Sequence, residues 1–371
     1  MISNNRIELP DSENMNIQSF SRLFDNMSEC YKLFWFQAIV YFIIEGKSRM
    51  TYNEIINRMI VDAWYMVSEY HLNLGPADTL EALVHEVYQK SGLKSNEKRE
   101  KILEILQSMD DKEVQKKKLT LTYNVPYRLQ APFIKDVKGN GWNGPKKELA
   151  DRINQEKRLL YYFVSISGLE SEIEIQQNWI RYIQQNQQII RGWIQYHLMV
   201  YLQRRNPSVP GIVNKLNPPQ ERKLERVKKY WKEMIRLEPF HDIYGDIRLT
   251  QQDISIDHFV PWSYVAHDEF WNLHPTTRSI NSSKNNSLPD WNCYFMKLCN
   301  IEYQALQITK KYPKMRNEFE RCLKEHVNNS DVLMKLYQTE LSKEEFSNRL
   351  EEVISPVYMA AYNMGFGVWK L

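Results

Sequence analysis

Five residues between positions 257 and 284 carry the side chains that phosphodiester hydrolysis requires. Asp257 and His258 are adjacent, and Asn272, Asn281 and Lys284 follow them in the chain. A carboxylate and an amide oxygen suit a hard divalent ion such as Mg²⁺ or Mn²⁺, which keeps coordination positions for water and phosphate. An imidazole titrates near neutral pH and can take a proton from an attacking water. The set therefore indicates metal-dependent cleavage of phosphodiester bonds.

Three short elements are predicted to bring these side chains together. Residues 254–260 are typical of a strand, in which the adjacent Asp257 and His258 point to opposite sides. Residues 272–277 are typical of a return strand, and residues 279–286 of a short helix. Folded together, two strands and a helix would place the carboxylate, the imidazole and the second Asn within a few ångströms of one another.

The order and spacing of these residues resemble the HNH (ββα-metal) endonuclease family. The family pattern runs Asp-His, then a central Asn, then a final His or Asn that is followed closely by Lys. By this resemblance, Asp257 and Asn281 are metal ligands and His258 is the general base. The central Asn272 braces the loop that carries the base, and the trailing Lys284 approaches the phosphate.

The surroundings of the motif predict further roles. Arg278 is a second candidate for phosphate binding, or else the partner of an acidic neighbour. Residues 242–247 resemble the hairpin that many family members hold with zinc-binding cysteines. The chain has four cysteines and none forms a CxxC pair or lies in this hairpin: Cys30, Cys293, Cys299 and Cys322. No structural zinc is therefore expected, and packing must hold the hairpin.

Plainer interpretations of the same residues stay open. Asp257 and His258 are also consistent with a hydrogen-bonded pair at the end of a strand, and Asn281 with a helix cap. The neighbouring histidines are expected to be surface or packing residues: His241, His267 and His274. A non-catalytic adaptor that keeps an HNH scaffold for binding nucleic acid or a partner is the alternative to a nuclease.

Composition excludes several classes of protein. Hydrophobic residues make up 43% and aromatic residues 12% of the 371 residues, which argues against disorder of the whole chain. Only 12 glycines are present, which favours helices. The polar start has no apolar signal core, and the apolar run 33–44 is too short to cross a bilayer. A cytoplasmic protein without a membrane partner is expected.

Apolar periodicity predicts a mainly α fold: helical N-terminal and middle blocks, a small ββα-metal unit toward the C-terminus and a helical C-terminal tail. Residues 119–133 are predicted to form strand, and the Gly- and Pro-rich residues 135–147 to form a linker. The predicted helices span residues 19–45, 52–70, 78–88, 96–109, 171–205, 220–236 and 342–361. The predicted domains are a helical N-terminal region at 1–140, a middle helical region at 146–237, the nuclease unit at 238–310 and C-terminal helices at 311–371.

Partner predictions rest on local charge, because the net charge is only +3. Four residues in basic runs are candidate contacts to nucleic-acid phosphates, with a solvated helix face as the alternative: Arg204, Arg205, Lys228 and Lys229. DNA is favoured over RNA because the motif it resembles is mostly used on DNA. A partner protein or sensor subunit, docked on the helical regions, is a further expectation.

A wider resemblance suggests a biological setting. Residues 205–211, with the sequence Arg-Asn-Pro-Ser-Val-Pro-Gly, are similar to a stretch in large bacterial HNH proteins with a helical N-terminal region. Such proteins are often encoded with anti-phage defence systems. The resemblance therefore implies a nuclease effector of bacterial defence.

Overall fold

The computed structural model describes residues 8–13, 15–25, 27–218, 224–326, 330–337 and 340–371. The chain divides into two compact units, Met1–Pro207 and Ser208–Leu371. Helices dominate and the sheets are small, so the predicted mainly α fold is confirmed. The predicted middle region, 146–237, is shared between the two units. No helix within the described ranges has the length and apolar character that a bilayer crossing requires.

The first unit is built around the buried helices α2 and α3. Thr51 begins α3 with a reciprocal capping box. Asp78 begins α4 by accepting a hydrogen bond from the Glu81 amide, while the Glu81 carboxylate accepts from the Leu74 amide and not from Asp78. A three-stranded antiparallel sheet in the order β1-β3-β2 lies beside the helices. The elements are α1 Ile17–Phe20, α2 Tyr31–Ile44, β1 Arg49–Thr51, α3 Tyr52–Ser68, α4 Thr79–Ser91, α5 Arg99–Ser108, α6 Lys112–Thr122, α7 Val125–Arg128, α8 Lys146–Ile153, β2 Tyr161–Ser165, β3 Glu172–Ile175, α9 Gln177–Gln185 and α10 Gln187–Arg205.

Several predictions for the first unit are wrong. The single helix expected at 19–45 is divided into α1 and α2, and residues 135–147, expected to form a linker, lie within the unit and include the start of α8. The strand expected at 119–133 is helical, because Asp111 caps α6 and its buried positions recur at helical spacing: Val114, Lys118, Leu121 and Thr122. The single helix expected at 171–205 begins instead with the strand β3 and is interrupted at Asn186 between α9 and α10. In the last two cases tertiary packing outweighs a local pattern that fits either secondary structure.

The second unit contains a ββα arrangement, formed by β4, β5 and α13, among longer helices. The amphipathic α11 buries one stripe against the core, and α17 begins at Ser342 with a capping box. The elements are α11 Glu225–Leu237, β4 Ser255–His258, α12 Trp262–Val265, β5 Leu273–Thr276, α13 Arg278–Lys284, β6 Leu288–Pro289, α14 Trp291–Lys311, α15 Pro313–His326, α16 Ser330–Leu336, α17 Lys343–Asn363 and β7 Val368–Trp369. The parallel pair β6 and β7 joins the C-terminal residues to the strand that follows α13.

Candidate active site

The antiparallel strands β4 and β5 form the base of the candidate site. Asp257 pairs with His274 in the register, and His258 pairs with Leu273. The Trp231 indole of α11 donates a 3.2 Å hydrogen bond to the Leu273 carbonyl, which fixes α11 against the strands. Thr277 caps α13 immediately after β5, so the helix turns back across β4. The predicted two strands and helix are therefore present.

The Asp257 carboxylate lies in a buried polar cluster. Its Oδ2 accepts a 2.7 Å hydrogen bond from the Tyr244 hydroxyl, and its Oδ1 accepts one of 3.2 Å from Lys284 Nζ. His274 Nε2 lies 3.1 Å from the Tyr244 hydroxyl and 3.7 Å from Asp257 Oδ2. Tyr244 and Lys284 thus donate directly to the carboxylate, and His274 lies against the Tyr244 hydroxyl. These contacts hold the carboxylate in one orientation.

Burial and charge act in opposite directions on this cluster. Burial favours a raised pKa for Asp257, but the Lys284 ammonium and the other neighbours outweigh it, so the pKa of Asp257 is lowered. Burial lowers the pKa of Lys284 and lowers that of His274 to about 4. At neutral pH, therefore, Asp257 is a carboxylate and His274 is a neutral imidazole.

Asn281 presents an oxygen beside the same strand. Its amide nitrogen donates to Ser255 Oγ at 2.7 Å and to the Ile256 carbonyl at 3.1 Å. Because a carbonyl only accepts, this contact fixes the amide nitrogen toward β4 and turns Oδ1 away. Asn281 lies inside α13, whose cap is Thr277, so the interpretation of Asn281 as a helix cap is wrong.

The donors near α13 fit a divalent ion in type. An ionised carboxylate oxygen of Asp257 and the oriented Oδ1 of Asn281 are the hard ligands that Mg²⁺ and Mn²⁺ prefer. No group of three or more His, Cys, Asp or Glu residues that would hold a metal occurs in the described residues. An ion at this place would therefore take few protein ligands and several from water and phosphate.

His258 is oriented by an acidic partner. Its Nε2 lies 2.7 Å from Asp268 Oδ1, and both side chains are largely shielded from solvent. Because a carboxylate accepts hydrogen bonds, Nε2 is the nitrogen that donates, and Nδ1 carries the lone pair in the neutral ring. Lys284 Nζ also donates to the His258 carbonyl at 2.8 Å, which holds the end of β4.

Asn272 clamps the chain that follows His258. The Val260 amide donates to Asn272 Oδ1 at 2.8 Å, and Asn272 Nδ2 donates to the Val260 carbonyl at 2.8 Å. The Phe259 amide donates to the Asn272 carbonyl at 3.0 Å. The buried Asn272 side chain therefore forms the hydrogen bonds that the backbone of a paired strand would form, at the point where the pairing of β4 and β5 ends.

The hairpin before β4 is held by a carboxylate. Asp242 accepts hydrogen bonds from the amides of Tyr244 at 2.7 Å and Gly245 at 3.0 Å, and its own amide donates to the Ile247 carbonyl. Thr276 of β5 adds a 3.4 Å hydrogen bond to the same carboxylate. The turn aims Tyr244 at the Asp257 cluster without any cysteine in the hairpin.

The candidate phosphate-binding residues differ in their surroundings. Lys284 is fully buried and bonds the strand that carries Asp257, whereas Arg278 is exposed on the first turn of α13. Arg278 and Asn281 are three residues apart on that helix and so lie on one face. Arg278 makes no hydrogen bond or ion pair within the described part of the chain.

The more distant basic candidates are partly engaged elsewhere. Arg205 donates to the Ser28 carbonyl at 2.9 Å, and Lys229 pairs with Glu318 at 3.0 Å. Arg204 is exposed and Lys228 is half-buried. Arg204 and Arg205 end α10 of the first unit, whereas Lys228 and Lys229 lie on α11 of the second unit.

Four residues of the site carry roles that the sequence alone did not assign. Tyr244 and His274 complete the Asp257 cluster, Asp242 holds the hairpin, and Asp268 orients His258. His274 was expected to be a packing residue, and it is fully buried. The pairing of the two predicted strands sets His274 opposite Asp257, and this pairing was the sequence signal for its role. Asp268 lies in a loop without periodicity, so no sequence signal pointed to it.

Comparison with known proteins agrees with this geometry. Residues 242–290 match a family model described as HNH endonuclease, which spans the hairpin, β4, β5 and α13. No curated protein and no solved structure matches the chain. The second unit therefore carries an HNH endonuclease domain at residues 242–290.

Proposed function

We propose that the protein is a metal-dependent endonuclease that hydrolyses phosphodiester bonds in DNA. The observation that carries the proposal is the juxtaposition on β4 of an ionised carboxylate, Asp257, and an imidazole, His258, whose Nε2 is held by Asp268. Asn281 adds an amide oxygen fixed by two hydrogen bonds to β4. DNA is proposed over RNA by analogy with the use of this motif in other nucleases.

The residues divide the reaction between them. Nδ1 of His258 takes a proton from a water as the water oxygen forms a bond to phosphorus, while Asp268 stabilises the resulting imidazolium through Nε2. The P–O3′ bond breaks, and the leaving oxygen takes a proton from solvent. Arg278, exposed beside Asn281, contacts a phosphate oxygen. When bound to Asp257 and Asn281, a divalent ion supplies positive charge that stabilises the leaving oxygen.

Lys284 has a different role in this proposal from the one that the family resemblance implies. Its ammonium is buried and donates to Asp257 and to the His258 carbonyl. It therefore compensates the buried carboxylate and holds the two functional residues of β4 in place. The exposed Arg278 is left as the phosphate contact.

Plasmid cleavage tests the proposal directly. Purified protein is incubated with supercoiled plasmid in Mg²⁺, in Mn²⁺ and in EDTA, and single-stranded RNA is a parallel substrate. We expect divalent-dependent cleavage, reduced about 10²- to 10⁴-fold by His258→Ala because a general base is removed. His241→Ala is the matched control, since His241 is an exposed histidine of the same unit. Equal cleavage by wild type and His258→Ala would reject His258 as the general base, and no divalent-dependent cleavage by the wild type would favour the adaptor role.

Ligand variants separate metal binding from catalysis. Asn281→Ala removes the oxygen ligand. Asn281→Asp keeps an oxygen ligand but, like the Ala variant, loses the two hydrogen bonds that the amide nitrogen donates to β4. We expect the Ala variant to need more Mn²⁺ for half-maximal cleavage, and the Asp variant to recover part of that loss. The same Mn²⁺ requirement in wild type and Asn281→Ala would place the ion elsewhere.

The proposed setting is a bacterial cytoplasm, where the nuclease acts as an effector of defence together with a partner or sensor protein. This setting is supported only by the likeness of residues 205–211 to defence-associated proteins. Phage plating on cells that express wild type or His258→Ala tests it. Protection that depends on His258 supports the role, and equal plating on both strains contradicts it.

A further inference from the structure

A pocket in the first unit combines positive charge with an aromatic ring. It has a volume of about 340 Å³, at the lower end of the range for small-molecule sites. Its lining includes the cations Arg22, Lys32 and Arg128, the indole of Trp142 and the amide of Asn124. The segments that form it precede α2, surround α7 and include residues 131–142. All of them belong to the first unit, so the pocket is separate from the HNH domain.

The charges of the pocket are unevenly compensated. Arg22 pairs with Asp25 at 3.1 Å, and the second acid, Glu29, accepts a 3.3 Å hydrogen bond from Tyr201. Arg128 donates to the neutral amide oxygen of Asn143 at 3.1 Å, which leaves its charge without an acidic acceptor in that bond. The pocket therefore has an excess of positive charge on the side of Arg128.

Neighbouring cations repel one another at this place. Burial and then Arg128 lower the pKa of Lys32, although Asp25 acts in the opposite direction. Burial and Arg128 likewise lower the pKa of Lys146, which donates to the Trp142 carbonyl. An anion in the pocket would relieve this repulsion.

The polar and aromatic lining adds a second kind of recognition. Trp142 is half-buried, and its ring makes no aromatic contact in the described part of the chain. Asn124 precedes α7 but makes no capping hydrogen bond, so its amide can donate and accept within the pocket. A planar heterocycle with polar edges matches both groups.

We propose that this pocket binds a mononucleotide, with its phosphate against Arg128 and Lys32 and its base against Trp142. The phosphate supplies the negative charge, and the base supplies the ring that stacks on the indole. A free nucleotide and the 5′-terminal nucleotide of a strand share this chemistry. The volume of about 340 Å³ is sufficient for one such unit.

Calorimetric titration of the full-length His258→Ala protein tests the site, because binding is then measured without cleavage. The titrants are AMP, GMP, CMP, adenosine and inorganic phosphate, together with one oligonucleotide with and without a 5′-phosphate. Nucleoside monophosphates should bind more tightly than phosphate or adenosine. Tighter binding of only the 5′-phosphorylated oligonucleotide supports the same chemistry with a strand end as its source.

Pocket variants locate the binding. Arg128→Gln should weaken nucleotide binding about 10- to 100-fold, the loss expected for a charge-assisted hydrogen bond. Arg158→Gln is its matched control, since Arg158 is an exposed cation of the same unit outside the pocket. Trp142→Ala should weaken nucleotide binding about tenfold or more and leave phosphate binding unchanged, whereas Trp142→Phe should keep most of the affinity.

Three results would overturn the inference. They are nucleotide binding no tighter than that of inorganic phosphate, equal losses from Arg128→Gln and Arg158→Gln, and no binding of any nucleotide at millimolar concentration. Crosslinking with an azido-nucleotide adds a spatial check, because the labelled peptide should lie within residues 124–146. Labelling confined to the second unit would also reject the site. None of these results depends on whether the HNH domain cleaves DNA.

Discussion

Replacement of Asn272 by alanine removes the clamp that follows His258. The wild-type amide pairs with both backbone groups of Val260 at 2.8 Å, and both residues are almost fully buried. Alanine leaves a buried N–H and a buried C=O without partners, each at a cost of about 1–3 kcal/mol. We expect the second unit to lose about 2–5 kcal/mol of unfolding free energy, a large share of the roughly 5–15 kcal/mol typical of a domain.

Amide hydrogen exchange is the suitable assay, because a global unfolding curve would combine the two units of the chain. The Val260 amide donates to Asn272 in the wild type, so it should exchange faster in Asn272→Ala. Single-turnover cleavage should also slow by about 10²-fold, since displacement of His258 by about 1 Å disturbs the attack geometry.

Asn206→Ala is the matched control in the first unit. Its amide makes the same kind of pair with Asn73, accepting from the amide at 2.8 Å and donating to the carbonyl at 2.9 Å. We expect a similar local loss of protection at Asn73 but no change in the rate of the chemical step. Unaltered exchange of Val260 in Asn272→Ala, or equal slowing of cleavage by both variants, would refute the reasoning.

Three further perturbations test other contacts. Burial raises the pKa of Asp78 to about 6 from 3.8, so its stabilising contribution is present below pH 3.8 and lost as pH rises through 6. Asp78→Asn should therefore be more stable at pH 7, by up to roughly 3 kcal/mol, and this gap, measured by hydrogen exchange in the first unit, should close on acidification; a constant gap would contradict this. Tyr244→Phe removes a hydrogen bond to the Asp257 carboxylate and should lower the unfolding free energy of the second unit, measured by hydrogen exchange, by about 1.5–3 kcal/mol; unchanged exchange would show that the bond contributes nothing. Asp268→Ala should slow cleavage roughly 10- to 100-fold with unchanged Mn²⁺ affinity, and Asp268→Glu should restore part of the rate; loss of metal affinity instead would show that Asp268 does not act through His258.

The local part of the site could be predicted because its parts are close in sequence. A strand, a return strand and a helix fit between positions 255 and 284, and the backbone periods fix which side chains share a face. Asp257, His258 and Asn281 therefore lie on the elements that the sequence predicts. The capped starts of α4 and α17 were predictable for the same reason, since each depends on four consecutive residues.

Contacts that depend on tertiary packing could not be predicted in this way. Asp268 reaches His258 from a loop without periodicity, and Tyr244 reaches Asp257 only because Asp242 holds the intervening turn. The misassigned residues 119–133 show the same limit. Their alternating pattern fits a strand, but the Asp111 cap and the packing of α6 stabilise a helix instead.

The buried pair of Asp257 and Lys284 has a consequence for metal binding. A buried carboxylate needs a positive partner, and Lys284 supplies one at 3.2 Å. A divalent ion that joins Asp257 therefore meets an ammonium of the same sign. The negative charge of a substrate phosphate offsets this repulsion, so ion and DNA should bind cooperatively.

Cooperativity of this kind is reciprocal, and both directions can be measured. In the His258→Ala background, uncleaved duplex DNA should lower the Kd for Mn²⁺ at least about tenfold, and saturating Mn²⁺ should lower the Kd for DNA by the same factor. Lys284→Met removes the competing charge and leaves Asp257 without its cation, at a cost of about 3–5 kcal/mol. That variant should be stabilised by Mn²⁺ alone more strongly than the wild type. Wild-type Mn²⁺ affinity that is unaffected by DNA would show that the ion does not share Asp257 with Lys284.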